Sequence, residues 1–273
     1  MGQDVAVSGS ETIAVVIPTF NSRATIRRAL DSVRNQTLAP TEIIVVDNAS
    51  SDSTCEEVER FATSWPDMKL SLIRLDTNLG PGKARNIGWE SCSTSLIAFL
   101  DSDDSWHPRK LELQVQDVAK HPNSVLFGHQ YQVLDGNDQV VSVFESQQAR
   151  SHRYSLWHFL IRNRLSTPTV MIRTNIPQRF PTNLWHAEDF SLWTQIVAGG
   201  RPAVISEHVL TYLHKPVFGS GGLSKDLKQM HQGEVRVLAQ LRNADHLGFL
   251  GYFVVLIWIR VKYLRRRALG VPT

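Results

Sequence analysis

Through the first half of the chain, short runs of apolar, β-branched residues alternate with stretches whose apolar positions recur every three or four residues. Ile13 to Pro18 reads as a strand, followed by a turn at Thr19-Phe20-Asn21-Ser22. From Thr25 to Val33, the residues Ile26, Ala29, Leu30 and Val33 share one helical face and arginines occupy the other. Glu42 to Val46 is a second strand, closed by Asp47-Asn48-Ala49-Ser50-Ser51-Asp52, a polar turn suited to capping the helix expected over Thr54 to Thr63. Leu70 to Leu75 is a third strand. A helix over Gly80 to Ser91 opens with Gly-Pro-Gly, and Leu96 to Leu100 is the fourth strand. This alternation predicts an α/β fold with a mainly parallel sheet flanked by helices.

Beyond residue 104 the pattern predicts a helix over Pro108 to Lys120, then strands Val125 to Leu134 and Val140 to Phe144 around the turn Asp135-Gly136-Asn137-Asp138. Glu145 to Arg153 reads as a polar loop, Tyr154 to Ile161 as a short helix, Thr169 to Arg173 as a strand, and Pro177 to Leu184 as irregular. A helix opens at His186-Ala187-Glu188-Asp189 and runs to about Val197. Pro202 to Ser206 is a strand, and Tyr212-Leu213-His214-Lys215 leads into a Gly-rich loop, Phe218 to Gly222, with the composition of a lid or a linker. Leu247 to Ile259 is almost wholly apolar, yet shorter than the ~20 residues a bilayer span needs. Arg260, Lys262, Arg265, Arg266 and Arg267 follow it. Residues 246–267 are therefore expected to make a peripheral membrane contact, apolar face down and cations on anionic head groups, or else to pack as a helix on the main domain or a partner subunit. The expected division is a polar tail over 1–10, a main α/β domain over 11–225 and a helical extension over 226–273.

Composition adds exclusions. At 273 residues, 42% hydrophobic and 20% charged, the chain has material for a real core and is not disordered. A net charge of +3 is too small to indicate nucleic acid. Cys55 and Cys92 carry neither metal-ligand spacing nor a disulfide framework, which suits a reducing cytoplasm. Met1 to Glu11 lacks an apolar signal core, so secretion is not indicated.

The candidate chemistry sits at strand ends. The fourth strand stops in Asp101-Ser102-Asp103-Asp104, and like charges this close raise one another's pKa unless a cation joins them. Mg²⁺ or Mn²⁺ bound by one or two carboxylates and completed by substrate phosphates answers that need, beyond the carboxyl ends of strands where α/β sheets bind ligands. A solvated acidic turn is the plainer alternative. Pro18-Thr19-Phe20-Asn21 and Asp47 read equally as ligand contacts or as strand-to-helix turns. Asn78 to Asn86 brings Lys83 and Arg85 to a helix N-terminus, a natural anion site. It is not a Walker loop, because Thr77 replaces the first glycine and Ala84 the metal-binding hydroxyl. Glu188 and Asp189 in a first helical turn serve as dipole caps or as a general base.

The order of these motifs is more specific than any one of them. Pro18-Thr19-Phe20-Asn21, Val45-Val46-Asp47-Asn48, Asn78-Leu79-Gly80 with Ala84-Arg85-Asn86, Phe99-Leu100-Asp101-Ser102-Asp103-Asp104 and Glu188-Asp189 together resemble the family-two inverting glycosyltransferases of the GT-A fold, of the bacterial polysaccharide-biosynthesis type, over roughly residues 11–225. The resemblance implies a Rossmann-like mixed sheet and a nucleotide-sugar site lined by Pro18, Thr19, Asn21, Asp47, Asn48, Lys83, Arg85, Asp101 and Ser102. Asn48 stands where many relatives have a second Asp. The resemblance places Asp103 on a divalent cation, Mn²⁺ or Mg²⁺, and makes His214 a metal or diphosphate contact, although Tyr212-Leu213-His214 lacks the arginine of the Tyr-Arg-x-His that relatives often show. Asp189 becomes the base that deprotonates the acceptor, with Glu188 beside it. The donor implied is a nucleotide-diphosphate sugar, UDP-sugar favoured over dTDP- or GDP-sugar. The acceptor implied is a glycan or lipid-linked glycan at the cytoplasmic face of the inner membrane. A nucleotidyltransferase and a non-catalytic nucleotide-sugar-binding subunit are the alternatives. The first wants a Gly-rich loop where Thr19-Phe20-Asn21-Ser22-Arg23 stands, and the second leaves Asp103 and Asp189 without a purpose.

Overall fold

A computed structural model describes residues 11–134, 149–214 and 226–269. The first four strands are β1 (Ile13–Thr19), β2 (Glu42–Asp47), β3 (Leu70–Arg74) and β4 (Leu96–Phe99). Between them lie α1 (Ile26–Arg34), α2 (Thr54–Thr63) and α3 (Pro81–Ser91). The side chains of β1 alternate between two cores: Ala14 and Val16 pack on one sheet face, Ile13, Val15 and Ile17 on the other. Both faces are covered, as the near-continuous apolar composition of a buried parallel strand requires.

The remaining strands are β5 (Ser105–Trp106), β6 (Leu126–Val133), β7 (Ser151–Tyr154), β8 (Met171–Arg173) and β9 (Ala203–Leu213). Among the described residues they complete a nine-stranded sheet of order β3-β2-β1-β4-β8-β6-β9-β5, with β7 paired to β9. The β1–β2, β2–β3 and β1–β4 pairs are parallel, whereas β8 runs antiparallel to both β4 and β6. Chain order reverses between β1 and β4, so the carboxyl ends of β1, β2 and β4 converge on the crevice where such sheets bind ligands.

The second half differs from the pattern reading in four places. Ser151 to Arg153, expected in a loop, belongs to β7; it is polar because it is an edge strand with its side chains partly exposed. β9 continues seven residues past the expected end at Ser206, and its pairing with β6 shifts register between Gly128 and Tyr131. Thr167–Thr169 is a 3-10 turn, so β8 is shorter than the strand expected from Thr169. Helix α5 (Leu156–Ile161) starts after Ser155, whose hydroxyl and His158 form a reciprocal cap. The expected turn at 135–138, the strand at 140–144 and the Gly-rich loop at 218–222 lie outside the described residues.

Helices α4 (Lys110–Lys120), α6 (Glu188–Ala198), α7 (Leu227–Asn243) and α8 (Phe249–Leu269) complete the fold. The apolar tail is thus one 21-residue helix that continues through the arginines. Val237, Leu238 and Leu241 of α7 and Val255 and Ile259 of α8 share a core with Phe180, Trp193 and the sheet. The opposite face of α8 exposes Leu250, Val254, Ile257, Val261 and Leu264. No helix among the described residues is long and apolar enough to cross a membrane.

Candidate active site

The convergence of strand ends gathers the candidate residues. At the end of β1, Thr19 is buried and its hydroxyl has no partner. At the end of β2, one Asp47 oxygen accepts from the Ser50 amide at 3.0 Å, while the other is buried without a partner. A buried acceptor left bare costs about 1–3 kcal/mol, which a ligand N–H or O–H would offset. Pro18, the residue before Thr19 on β1, is half-buried.

Asn21 takes a left-handed conformation, φ 48°, and its side-chain oxygen accepts from the Ser51 amide at 2.8 Å, tying the two strand-end loops together. Asn48 is occupied by the protein. Its amide donates to Asn78 Oδ1 and its oxygen accepts from the Leu79 amide, both at 2.8 Å. It therefore holds the turn that opens α3. Lys83 and Arg85 sit in the first turns of that helix, Lys83 half-buried and Arg85 buried.

Arg85 is the hub. Its guanidinium donates to Asp101 Oδ1 at 2.7 Å and to Glu188 Oε1 at 2.9 Å. Burial opposes its charge, but the carboxylates of Asp101 and Glu188 outweigh it and raise the pKa. Two motifs 87 residues apart in sequence, Asp101 and Glu188, thus meet on one side chain.

Around Asp101 the acidic loop is spread by specific bonds. Ser102 bonds through its hydroxyl to Ser22 at 2.8 Å, and Arg28 donates to the Asp103 carbonyl at 2.6 Å. Burial, with the charges of Asp101 and Asp103, pushes Asp104 well above the usual carboxylate range. Asp104 accepts from the His214 amide at 3.3 Å, and His214 Nε2 lies 2.8 Å from the Ser105 hydroxyl. β5 and the end of β9 thereby bring His214 to the acidic loop.

A divalent cation fits this surplus of negative charge. Among the described residues no three acidic, His or Cys side chains are gathered as a metal cage. An ion at Asp103 and His214 would take further oxygens from a diphosphate, the mode Mg²⁺ favours.

The second acidic pair opens α6 after Ala187, which is left-handed at φ 61°. Such a conformation is strained for a residue with a Cβ and marks a position held by its surroundings. Asp189 accepts from its neighbouring Phe190 amide at 2.6 Å and from Asn163 at 3.4 Å. Burial raises the pKa of Asp189, and burial together with the Asp189 charge raises Glu188 to about 7 despite Arg85. A carboxylate with a raised pKa at neutral pH is suited to taking a proton.

Pattern reading missed Arg28, Ser22, Ser105 and Asn163, whose importance comes from contacts made only in the folded chain. Arg28 left a trace as one of the arginines on the polar face of α1, and Ser22 as part of the turn after the first strand.

Comparison with known proteins identifies the family and the fold. The family model described as "Glycosyl transferase family 2" matches residues 14–176, more than half of the chain. An Escherichia coli protein named UDP-Glc:alpha-D-GlcNAc-diphosphoundecaprenol beta-1,3-glucosyltransferase WfgD is 30% identical over 195 residues, covering 71% of this chain and 73% of that protein. Glycosyltransferase AglE of Haloferax volcanii is 26% identical, covering 92% and 81%.

Among solved structures, S. aureus TarS 1-349 with UDP-GlcNAc superposes with a TM-score of 0.70 at 23% identity, covering 90% of this chain and 70% of that one. The mannosyltransferase PcManGT from Pyrobaculum calidifontis, with GDP-Man and Mn2+, gives 0.67 at 21% identity, covering 97% and 77%. At those identities the structures speak for the GT-A fold; the family match and the E. coli relative speak for the chemistry class. The chain belongs to glycosyl transferase family 2 and is a glycosyltransferase of GT-A fold.

Proposed function

We propose that the chain is a metal-dependent, inverting transferase that moves a sugar from a nucleotide-diphosphate donor to a hydroxyl of a glycan or lipid-linked glycan. The observation that carries this reading is Arg85, which binds the acidic loop at Asp101 and the carboxylate turn at Glu188 in one buried bridge. The donor lies along the ends of β1, β2 and β4, where Thr19 and Asp47 offer unpartnered polar atoms to the nucleoside. Pro18 and Asn21 shape that pocket, and Asp101 and Ser102 face the ribose side. Asn48 orients the Asn78–Leu79 turn, so that Lys83 stands near the diphosphate. The name of the E. coli relative and the UDP-GlcNAc complex of TarS favour a UDP-sugar. The GDP-Man complex of PcManGT keeps a GDP-sugar in view, and its Mn2+ supports a divalent ion.

In the reaction, Asp189 accepts the proton of the acceptor hydroxyl as its oxygen forms a bond to the anomeric carbon. The bond from that carbon to the diphosphate breaks on the opposite face, and its electron pair leaves with the diphosphate, inverting the centre. Asp103 and His214 would hold a divalent cation, which when bound offsets the charge developing on the diphosphate. Glu188 and Arg85 position the base. The E. coli relative's name also favours a diphosphate-linked lipid acceptor; the apolar and basic composition of α8 supports placing the chain at the cytoplasmic face of the inner membrane, with that helix resting on the bilayer. Asp103→Ala and Asp189→Asn are expected each to abolish transfer from a UDP-sugar with Mn²⁺ while the circular dichroism of the protein is unchanged. Turnover retained by either purified variant would overturn the role given to that residue.

A further inference from the structure

Beside the carboxylate turn lies a cleft of about 300 Å³. One wall is the segment before α6, with Asn183, Trp185 and His186; the other is α7, with Gln229, Gly233 and Arg236. The cleft lies outside the family-matched segment, which ends at residue 176.

We propose that this cleft is the acceptor-sugar subsite, holding a single pyranose ring against Trp185, with the ring hydroxyls bonded to Asn183, Gln229 and Arg236. The inference rests on the transferase reading above and names the class of ligand that meets Asp189.

Three observations carry it. The first is Trp185, whose large apolar side chain is 48% exposed. A pyranose has an apolar C–H face and a rim of hydroxyls, so an exposed indole flanked by amides and a guanidinium matches it on both. The second is position. The indole packs on Gly80, whose φ of +83° opens α3; a Cβ there would lie 3.4 Å from the ring. Trp185 therefore reaches from the start of the helix that carries Lys83 and Arg85 to the mouth of the cleft. A sugar seated on it would sit against the segment that leads directly into Glu188 and Asp189.

The third is the close seat of α7. A Cβ on Gly233 would stand 2.6 Å from the His186 carbonyl and 3.0 Å from the Ala187 side chain. Only glycine lets the helix press on the strained turn and become the second wall. A volume of about 300 Å³ is at the small end for ligand sites, right for one ring rather than an extended chain. An anionic head group is the poorer occupant, because the nearby cations Lys262 and Arg266 are turned to Glu234, at 4.0 and 3.7 Å.

The test uses the full chain and saturation-transfer NMR with methyl glycosides of glucose, galactose, mannose and N-acetylglucosamine. Thermal shifts with UDP, GDP and dTDP run in parallel. At least one glycoside is expected to receive saturation. Trp185→Ala and Gln229→Ala should each weaken the signal at least fivefold, and Trp185→Phe should restore part of it. Both truncated side chains are exposed, so the fold does not depend on them. Wild type that shifts with a nucleotide but binds no glycoside overturns the proposal, as does binding unaltered in both alanine variants. Wild type that shifts with no nucleotide counts against the transferase reading instead.

Discussion

Arg85 illustrates how far one side chain can organise a site. It is 5% exposed and paired to two carboxylates, and removing one partner of a buried ion pair costs about 3–5 kcal/mol because the charges left behind stay desolvated. Arg85→Met is therefore expected to lower the unfolding free energy measured by urea titration by that order and to abolish transfer. Adding Glu188→Gln should recover part of the stability and none of the activity. The Glu188–Asp189 pair makes a second expectation. Burial raises both carboxylates, Glu188 to about 7, and a base works only when deprotonated. Activity should therefore fall on acidification at a higher pH than a solvent-exposed aspartate would give, because burial raises Asp189. A kcat/KM profile flat down to pH 5 would contradict this. Asp47 and Asp101 to Asp104 were legible in the sequence because they stand abruptly at the ends of apolar runs, and Glu188 and Asp189 because an acidic pair opens a helix. The occupation of Asn48 by Asn78 and Leu79, and the reach of Asn163 to Asp189, were not, since each depends on a partner 26 or more residues away.

Elements were legible where burial is one-sided or complete. β1, β2 and β4 read correctly because parallel strands covered on both faces are near-continuous apolar runs. β9 read short because its alternation breaks at Glu207 and His208, next to the register shift with β6. β7 read as loop because an edge strand can be polar. The seat of α7 is set by a single glycine that pattern gave no reason to notice. Gly233→Val should push the helix off His186 and loosen the left-handed Ala187 turn. A drop in kcat larger than the rise in donor KM is the expected reading. A change confined to donor KM would show that α7 does not support the base.

Across the whole molecule, the exposed stripe of α8 is continuous with the exposed side chains of α5. Trp157 lies against Gly251, and the Trp258 indole donates to the Ile161 carbonyl at 2.8 Å. α8 contains no acidic residue, and Arg260 and Arg265 lie exposed alongside the stripe. A second copy of the helix would bring like charges together, whereas anionic lipid would neutralise them. Flotation with phosphatidylglycerol vesicles should recover the protein, neutral vesicles should recover far less, and Leu250→Glu with Ile257→Glu should abolish recovery without lowering the melting temperature. Equal flotation on neutral vesicles would remove charge from the account. The sequence showed the apolar run and its basic flank but not that Val255 and Ile259 anchor the same helix to the core, since a helix with two apolar faces looks uniform in one dimension.

Gly233 and Glu234 are consecutive, yet one presses on the carboxylate turn and the other faces Lys262 and Arg266 of α8. The working unit is consequently indivisible at residue 176, where the family model's match ends. A fragment trimmed to residue 176 would keep the nucleotide half and lose Asp189, and one trimmed after α6 would keep the base without the helix that braces it. The shortest piece of this chain expected to turn over is one that keeps α7 together with the α8 against which it packs.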